Sequence, residues 1–195
     1  QTKPHMPARE ICRSLTDVCN NLYGGKPGDD TTVAAIGIRE PLTLNIMAGP
    51  PISRDDDSKV VKEFLSEDGK RVVCGGTTAQ IVARELGRDI EVSTDYFSES
   101  VPPIAYIDGI DLVTEGVLTL TQVVAIINEY ITDDGQGVAT ERLDDEDGAA
   151  KLARMLIDDC THLNLYIGRA INPAHQNPDL PINLSIKLKI VEELA

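Results

Sequence analysis

From Leu42 onward, apolar runs of strand length alternate with amphipathic runs of helix length, and this alternation constrains the fold more than any other feature. LTLNIMAG (42–49), RVVC (71–74), IEVST (90–94), IAYID (104–108) and HLNLYIG (162–168) read as strands. Between them lie helical patterns. One has Val60, Val61, Phe64 and Leu65 on one side and Asp55–Asp57 at its start, where acids suit the positive end of the helix dipole. AQIVAREL is stopped by Gly87, TLTQVVAIINEY spans 119–130, and a further helix spans 148–158. Strands and helices in this alternation predict right-handed crossovers and an α/β fold with a mostly parallel, doubly wound, Rossmann-like sheet. Aromatic residues are 4% of the chain and Trp is absent, so the core must be built from aliphatic side chains.

The pattern before Leu42 differs. Residues 8–22 predict an amphipathic helix with Ile11, Leu15, Val18, Cys19 and Leu22 near one face, and Gly24-Gly25 supplies a left-handed stop. PGDDTTVAAIGI (27–38) predicts a turn and then a strand over Val33–Ile38, and Arg39-Glu40-Pro41 breaks it. The expected organisation is two domains, 1–40 and 41–195. The chain begins with Gln1 and ends in LSIKLKIVEELA, within a helical pattern starting near Asn183, so it is expected to be a piece of a longer chain, cut at both ends.

Asp29 and Asp30 stand side by side at the mouth of that predicted strand. Carboxylates are hard oxygen ligands, and magnesium or manganese accepts one or two of them with water and phosphate oxygens completing the shell. A divalent cation also relieves the repulsion of adjacent acids. Neighbouring side chains on a strand point to opposite faces, so the geometry supports one ligand rather than two. Pro-Gly-Asp-Asp is equally good turn chemistry that needs no metal.

The helix followed by GGKPGDDTTVAAIGI resembles the last helix and strand of a protein phosphatase 2C-type catalytic domain, in the bacterial branch typified by stage II sporulation protein E. That family carries Asp-(Asp/Asn)-x-(Ser/Thr)-Val at the start of its final strand, and Asp29-Asp30-Thr31-Thr32-Val33 matches it in order and spacing. The resemblance covers about residues 8–38. It implies a helix–strand remnant of an α+β phosphatase domain in which Asp29 binds a catalytic magnesium or manganese; the role of Asp30 stays open. It also implies a parent that dephosphorylates serine or threonine of a phosphoprotein. Most of the family's metal-binding acids precede this motif. Two-metal hydrolysis needs both ions and a bridging water, so these residues alone are expected to be inactive, with no catalytic residue of their own and no tightly bound metal.

Gly75-Gly76-Thr77-Thr78 joins a predicted strand to a predicted helix. Two glycines let a ligand approach the backbone, and free helix-start amides with two hydroxyls can hold a phosphate or carboxylate. Asp95, at the end of the next strand, stands where a dinucleotide site would meet a ribose. No G-x-G-x-x-G or G-x-x-x-x-G-K-[ST] accompanies it. The alternative is a tight turn with Thr77 or Thr78 capping the helix. Gly49-Pro50-Pro51 is expected near any such site, and Asp108, Asp111 and Glu115 are further candidates, or simply solvated loop acids.

The formal net charge of -14 disfavours nucleic acid and anionic membranes as partners. No apolar run is long enough to span a bilayer and no signal peptide is evident, so the expected location is the cytoplasm. Cys12, Cys19, Cys74 and Cys160 form no C-x-x-C and read as reduced, buried thiols. His5, His162 and His175 have no nucleophile partner in sequence. The segment 133–147 carries seven acids and one Arg and reads as a solvated, mobile loop. Together these readings give a phosphatase remnant followed by a regulatory module for a small anionic ligand such as a nucleotide. The alternative is a non-enzymatic binding or interaction domain, and self-association stays open.

Overall fold

The computed structural model describes residues 6–26, 28–94, 101–132, 138–170 and 192–193. Asp95, His5, His175, Asn183 and residues 133–137 lie outside them. The chain divides into two compact units, Gln1–Glu40 and Pro41–Ala195.

In the first unit, α1 (Ala8–Leu22) starts after Pro7 and carries Glu10 in its first turn. It ends in Gly24 and Gly25, both at positive φ, with the Gly25 amide donating to the Asn20 carbonyl at 2.8 Å. That is the glycine stop expected of GG after an apolar stripe. No residue of α1 is buried. The strand predicted over Val33–Ile38 does not form: residues 30–42 have no helix or ladder assignment, and Ile36 and Ile38 are 92% and 93% exposed. The run is β-prone, but a strand exists only by pairing, and no described segment pairs with it.

The second unit is α/β with a six-stranded mixed sheet, mostly parallel. Its elements are β1 (Thr43–Ala48), α2 (Asp57–Ser66), β2 (Lys70–Cys74), α3 (Gly76–Leu86), β3 (Glu91–Val92), β4 (Ala105–Tyr106), β5 (Leu112–Thr114), α4 (Val117–Thr132), α5 (Val138–Leu143), α6 (Gly148–Arg154) and β6 (His162–Ile167). A single-turn π-helix, Met155–Asp159, extends α6. The strand order is β3-β4-β5-β2-β1-β6. β6, β1, β2 and β5 run parallel, and β4 is antiparallel to both neighbours.

Alternation along the central strands builds two cores. Leu44, Ile46, Ala48, Val72, Cys74 and Leu112 face α4 and α6, meeting Leu120, Val123, Ile126, Ala149 and Leu152. Met47, Val73 and Val113 face α2 and α3, meeting Val61, Phe64, Ala79, Ile81 and Val82. Phe64 packs edge-on against Tyr166 with ring centroids 5.5 Å apart. The register of β1 and β6 is pinned by a polar pair: Asn164 Nδ2 donates to the oxygen of the fully buried Asn45 at 2.9 Å, and Asn45 Nδ2 donates to the Asp68 carbonyl at 3.0 Å. A slip by one residue would strand that amide without partners.

In its described part, residues 138–147, the acidic segment is more ordered than its composition predicts. Its described part contains α5, and Leu143 is fully buried. Asp147, 3% exposed, accepts from the amides of Ala149 and Ala150 at 2.9 Å each and caps α6, while its other oxygen meets Arg142 at 2.7 Å. One of the seven acids is therefore a structural cap rather than a solvated charge.

Candidate functional site

β2 and β5 are adjacent and parallel, but the chain leaves them toward opposite faces of the sheet. From β2 it enters α3, on the Phe64 side, and from β5 it enters α4, on the Leu152 side. Their carboxyl ends therefore lie at a topological switch point, where diverging connections leave a crevice.

Gly75 and Gly116 meet there. Gly75 adopts φ +112°, a conformation open to glycine, and its amide donates to the Thr114 carbonyl at 2.9 Å. A Cβ on Gly116 would sit 3.5 Å from the Gly75 Cα. The start of β1's exit loop joins them, because the Gly49 amide donates to the Thr78 hydroxyl at 3.0 Å. Three exit loops thus converge, and the expected proximity of Gly49 to the glycine turn holds.

Gly75 occupies the N-cap position of α3, and no side chain caps the helix. The capping alternative for Thr77 and Thr78 is therefore not the one adopted. Gly76 begins the helix, is exposed, and has no positive φ. A Cβ built on it would meet nothing within 4 Å. Backbone conformation explains the first glycine but not the second. What Gly76 leaves is open approach to the first amides of an 11-residue helix, the positive end of its dipole. Thr77 is exposed beside it, whereas Thr78 is buried and holds the β1 loop in place.

Cys74, just before the turn, is buried, and loss of hydration pushes its thiol up to about 12. The nearby Glu115 charge adds to this and a Thr114 hydrogen bond opposes it. A thiol held neutral is no nucleophile at ordinary pH.

Among the described acids considered at strand ends, Glu115 is the one that follows the carboxyl end of β5, beside this turn. Residues 112–114 form a strand that the sequence pattern merges into a loop, so Asp108 and Asp111 fall at the other end of the sheet. Asp111 accepts from the Arg71 amide at 2.7 Å, and Asp108 pairs with Arg88 at 3.4 Å. Glu115 Oε2 is buried and has no hydrogen-bond partner among the described residues, and the same is true of the Thr119 hydroxyl in the first turn of α4.

In the first unit, Asp29 and Asp30 are exposed, and Asp29 Oδ1 accepts from the Asp30 amide at 2.9 Å, closing a local turn. Among the described residues, no group of three or more His, Cys, Asp or Glu side chains is placed to hold a metal. One carboxylate does not fit a two-metal centre. His162 Nδ1 contacts the Thr161 hydroxyl at 3.0 Å. Of the four thiols only Cys74 is fully buried; Cys12, Cys19 and Cys160 are partly exposed and, like Cys74, unbridged. No helix among the described residues is long and apolar enough to cross a membrane.

Comparison with protein-family models, curated proteins and solved structures finds no match.

Proposed function

We propose that residues 41–195 form a doubly wound, Rossmann-like module that senses a small anionic ligand, and that residues 8–38 are the last helix and motif of a sporulation protein E-type serine/threonine phosphatase. On this reading the module reports its ligand to a catalytic domain that acts on a phosphoprotein, with Asp29 as one magnesium or manganese ligand among acids supplied by the rest of the parent. The observation that carries the sensing role is the switch point, where Gly76 leaves the amides of α3 open and no feature of the fold calls for glycine. The phosphatase assignment is supported by Asp29-Asp30-Thr31-Thr32-Val33 following a glycine-stopped helix. The net negative charge opposes anions at long range, but salt screens it within about 8 Å at physiological ionic strength, leaving local amides to decide.

A thermal-shift panel of phosphorylated metabolites and nucleotides tests the module. Binding to the native state raises the midpoint, and Gly76→Ala removes the rise while the apo protein folds normally. A flat panel leaves a purely structural interaction domain as the better reading. The chain alone is expected to show no manganese-dependent hydrolysis of a generic phosphoester; robust turnover would contradict the assignment of Asp29 to a larger centre.

A further inference from the structure

The apolar seam of α1 is left uncovered. Whereas α2, α3 and α4 each bury a face, no residue of α1 is buried. Leu15, Val18 and Leu22 are 48%, 53% and 82% exposed. A lone helix of this length is marginal in water, so its stripe calls for a partner.

The rest of the helix says what kind of partner fits. Ala8, Ile11, Leu15, Val18 and Leu22 recur at alternating steps of three and four, a strict a/d pattern over two heptads. Such a stripe is narrower than the face a helix turns to a globular core, and it matches a second helix. The positions flanking it are Cys12 and Cys19 on one side and Ser14 and Asn21 on the other, all small or neutral. The charged side chains, Arg9, Glu10, Arg13 and Asp17, fall on the outer face and cancel, in a chain whose net charge is -14. This helix therefore adds no like charge to the approach of two copies. Its first half carries Arg9, Glu10 and Arg13 and its second half Asp17, so the halves have opposite net signs.

We propose that α1 pairs antiparallel with α1 of a second copy of this chain. The antiparallel sense sets each half beside the half of opposite sign and opposes the two helix dipoles. It also gives a wholly apolar seam, with Leu15 against Val18 of the second copy and Ile11 against its Leu22. Two heptads make a small interface, so the dissociation constant is expected on the order of 10–100 μM. The pairing does not rest on the anion-sensing reading, which stands or falls separately.

Sedimentation equilibrium of the full chain, from about 5 to 500 μM, tests this. Wild type is expected to pass from monomer to dimer over that range. Leu15→Glu is expected to weaken the dimer tenfold or more. Leu22→Ser, at a position mostly in solvent, weakens it several-fold without touching a buried group. A chain that is monomeric throughout overturns the pairing and leaves the stripe to the rest of the parent. A dimer that Leu15→Glu leaves unchanged also overturns it, by placing the contact elsewhere. Orientation is read by mixing Ile11→Cys and Leu22→Cys chains under mild oxidation and identifying the linked peptides by mass spectrometry. Bonds between positions 11 and 22 are expected, and bonds joining 22 to 22 in their place would overturn the antiparallel arrangement.

Discussion

The two units contain similar apolar strings with opposite outcomes. TLNIMA in β1 and VAAIGI at 33–38 both read as strands, yet β1 is sandwiched between β2 and β6 with two helical layers over it, while Ile36 and Ile38 stand in solvent. Likewise α3 buries five residues and α1 none, although α1 has the cleaner apolar stripe. Periodicity states what an element wants to bury; only partners in the chain decide whether it does. In the second unit the partners are present. In the first, the pattern is intact and the described partners are few, a Cys12 thiol on the Val33 carbonyl at 3.8 Å among them.

Substitutions can break or sharpen this contrast. Phe64→Ala in the packed unit removes a fully buried ring and is expected to cost about 3–5 kcal/mol in denaturant unfolding. Asp147→Ala removes the cap of α6 and one of the two carboxylates that Arg142 meets, and is expected to cost about 2 kcal/mol by the same measurement.

Cys74 gives a pH signature. Its folded-state pKa lies above the ordinary thiol value, so above pH 9 the unfolded chain releases a proton that the folded chain keeps. Its contribution is complete below pH 9 and fades as pH rises toward about 12. The loss is on the order of 1–2 kcal/mol over the first pH units above 9, and Cys74→Ala should flatten that part of the profile. Gly76→Ala is expected to stabilise the apo protein by about 0.5–1 kcal/mol, because the position is helical and open. Ile38→Ser, at the unpartnered end of the contrast, is expected to change stability by less than about 0.5 kcal/mol. A loss as large as that of Phe64→Ala would show that 33–38 is packed after all.

Much of the second unit is legible in sequence because its strands are long, apolar and bounded by glycine. β1, β2 and β6, and α2, α3, α4 and α6, lie within a few residues of where the pattern puts them. What the pattern hides is β5. Leu112–Thr114 is three residues long, framed by Asp111 and Glu115, and looks like loop until it is paired with β2. Missing it misplaces the acids: Asp108, Asp111 and Glu115 read as one cluster, but the β4–β5 reversal sends the first two to the far end of the sheet. Asp147 was hidden for a related reason, because a capping carboxylate and a solvated one have the same letter. The glycine turn was visible as a motif, but only the open space around Gly76 separates its two glycines by role.

The central claim is the proposal that the first turn of α3 receives a small anion. Backbone amide NMR of the 195-residue chain during titration with ribose 5-phosphate tests it most directly. The account predicts saturable shifts led by Gly76 and Thr77, with Glu115 and Gly116 following, and their loss in Gly76→Ala. Shifts scattered over the surface, or a first turn that stays still while other amides move, would contradict it.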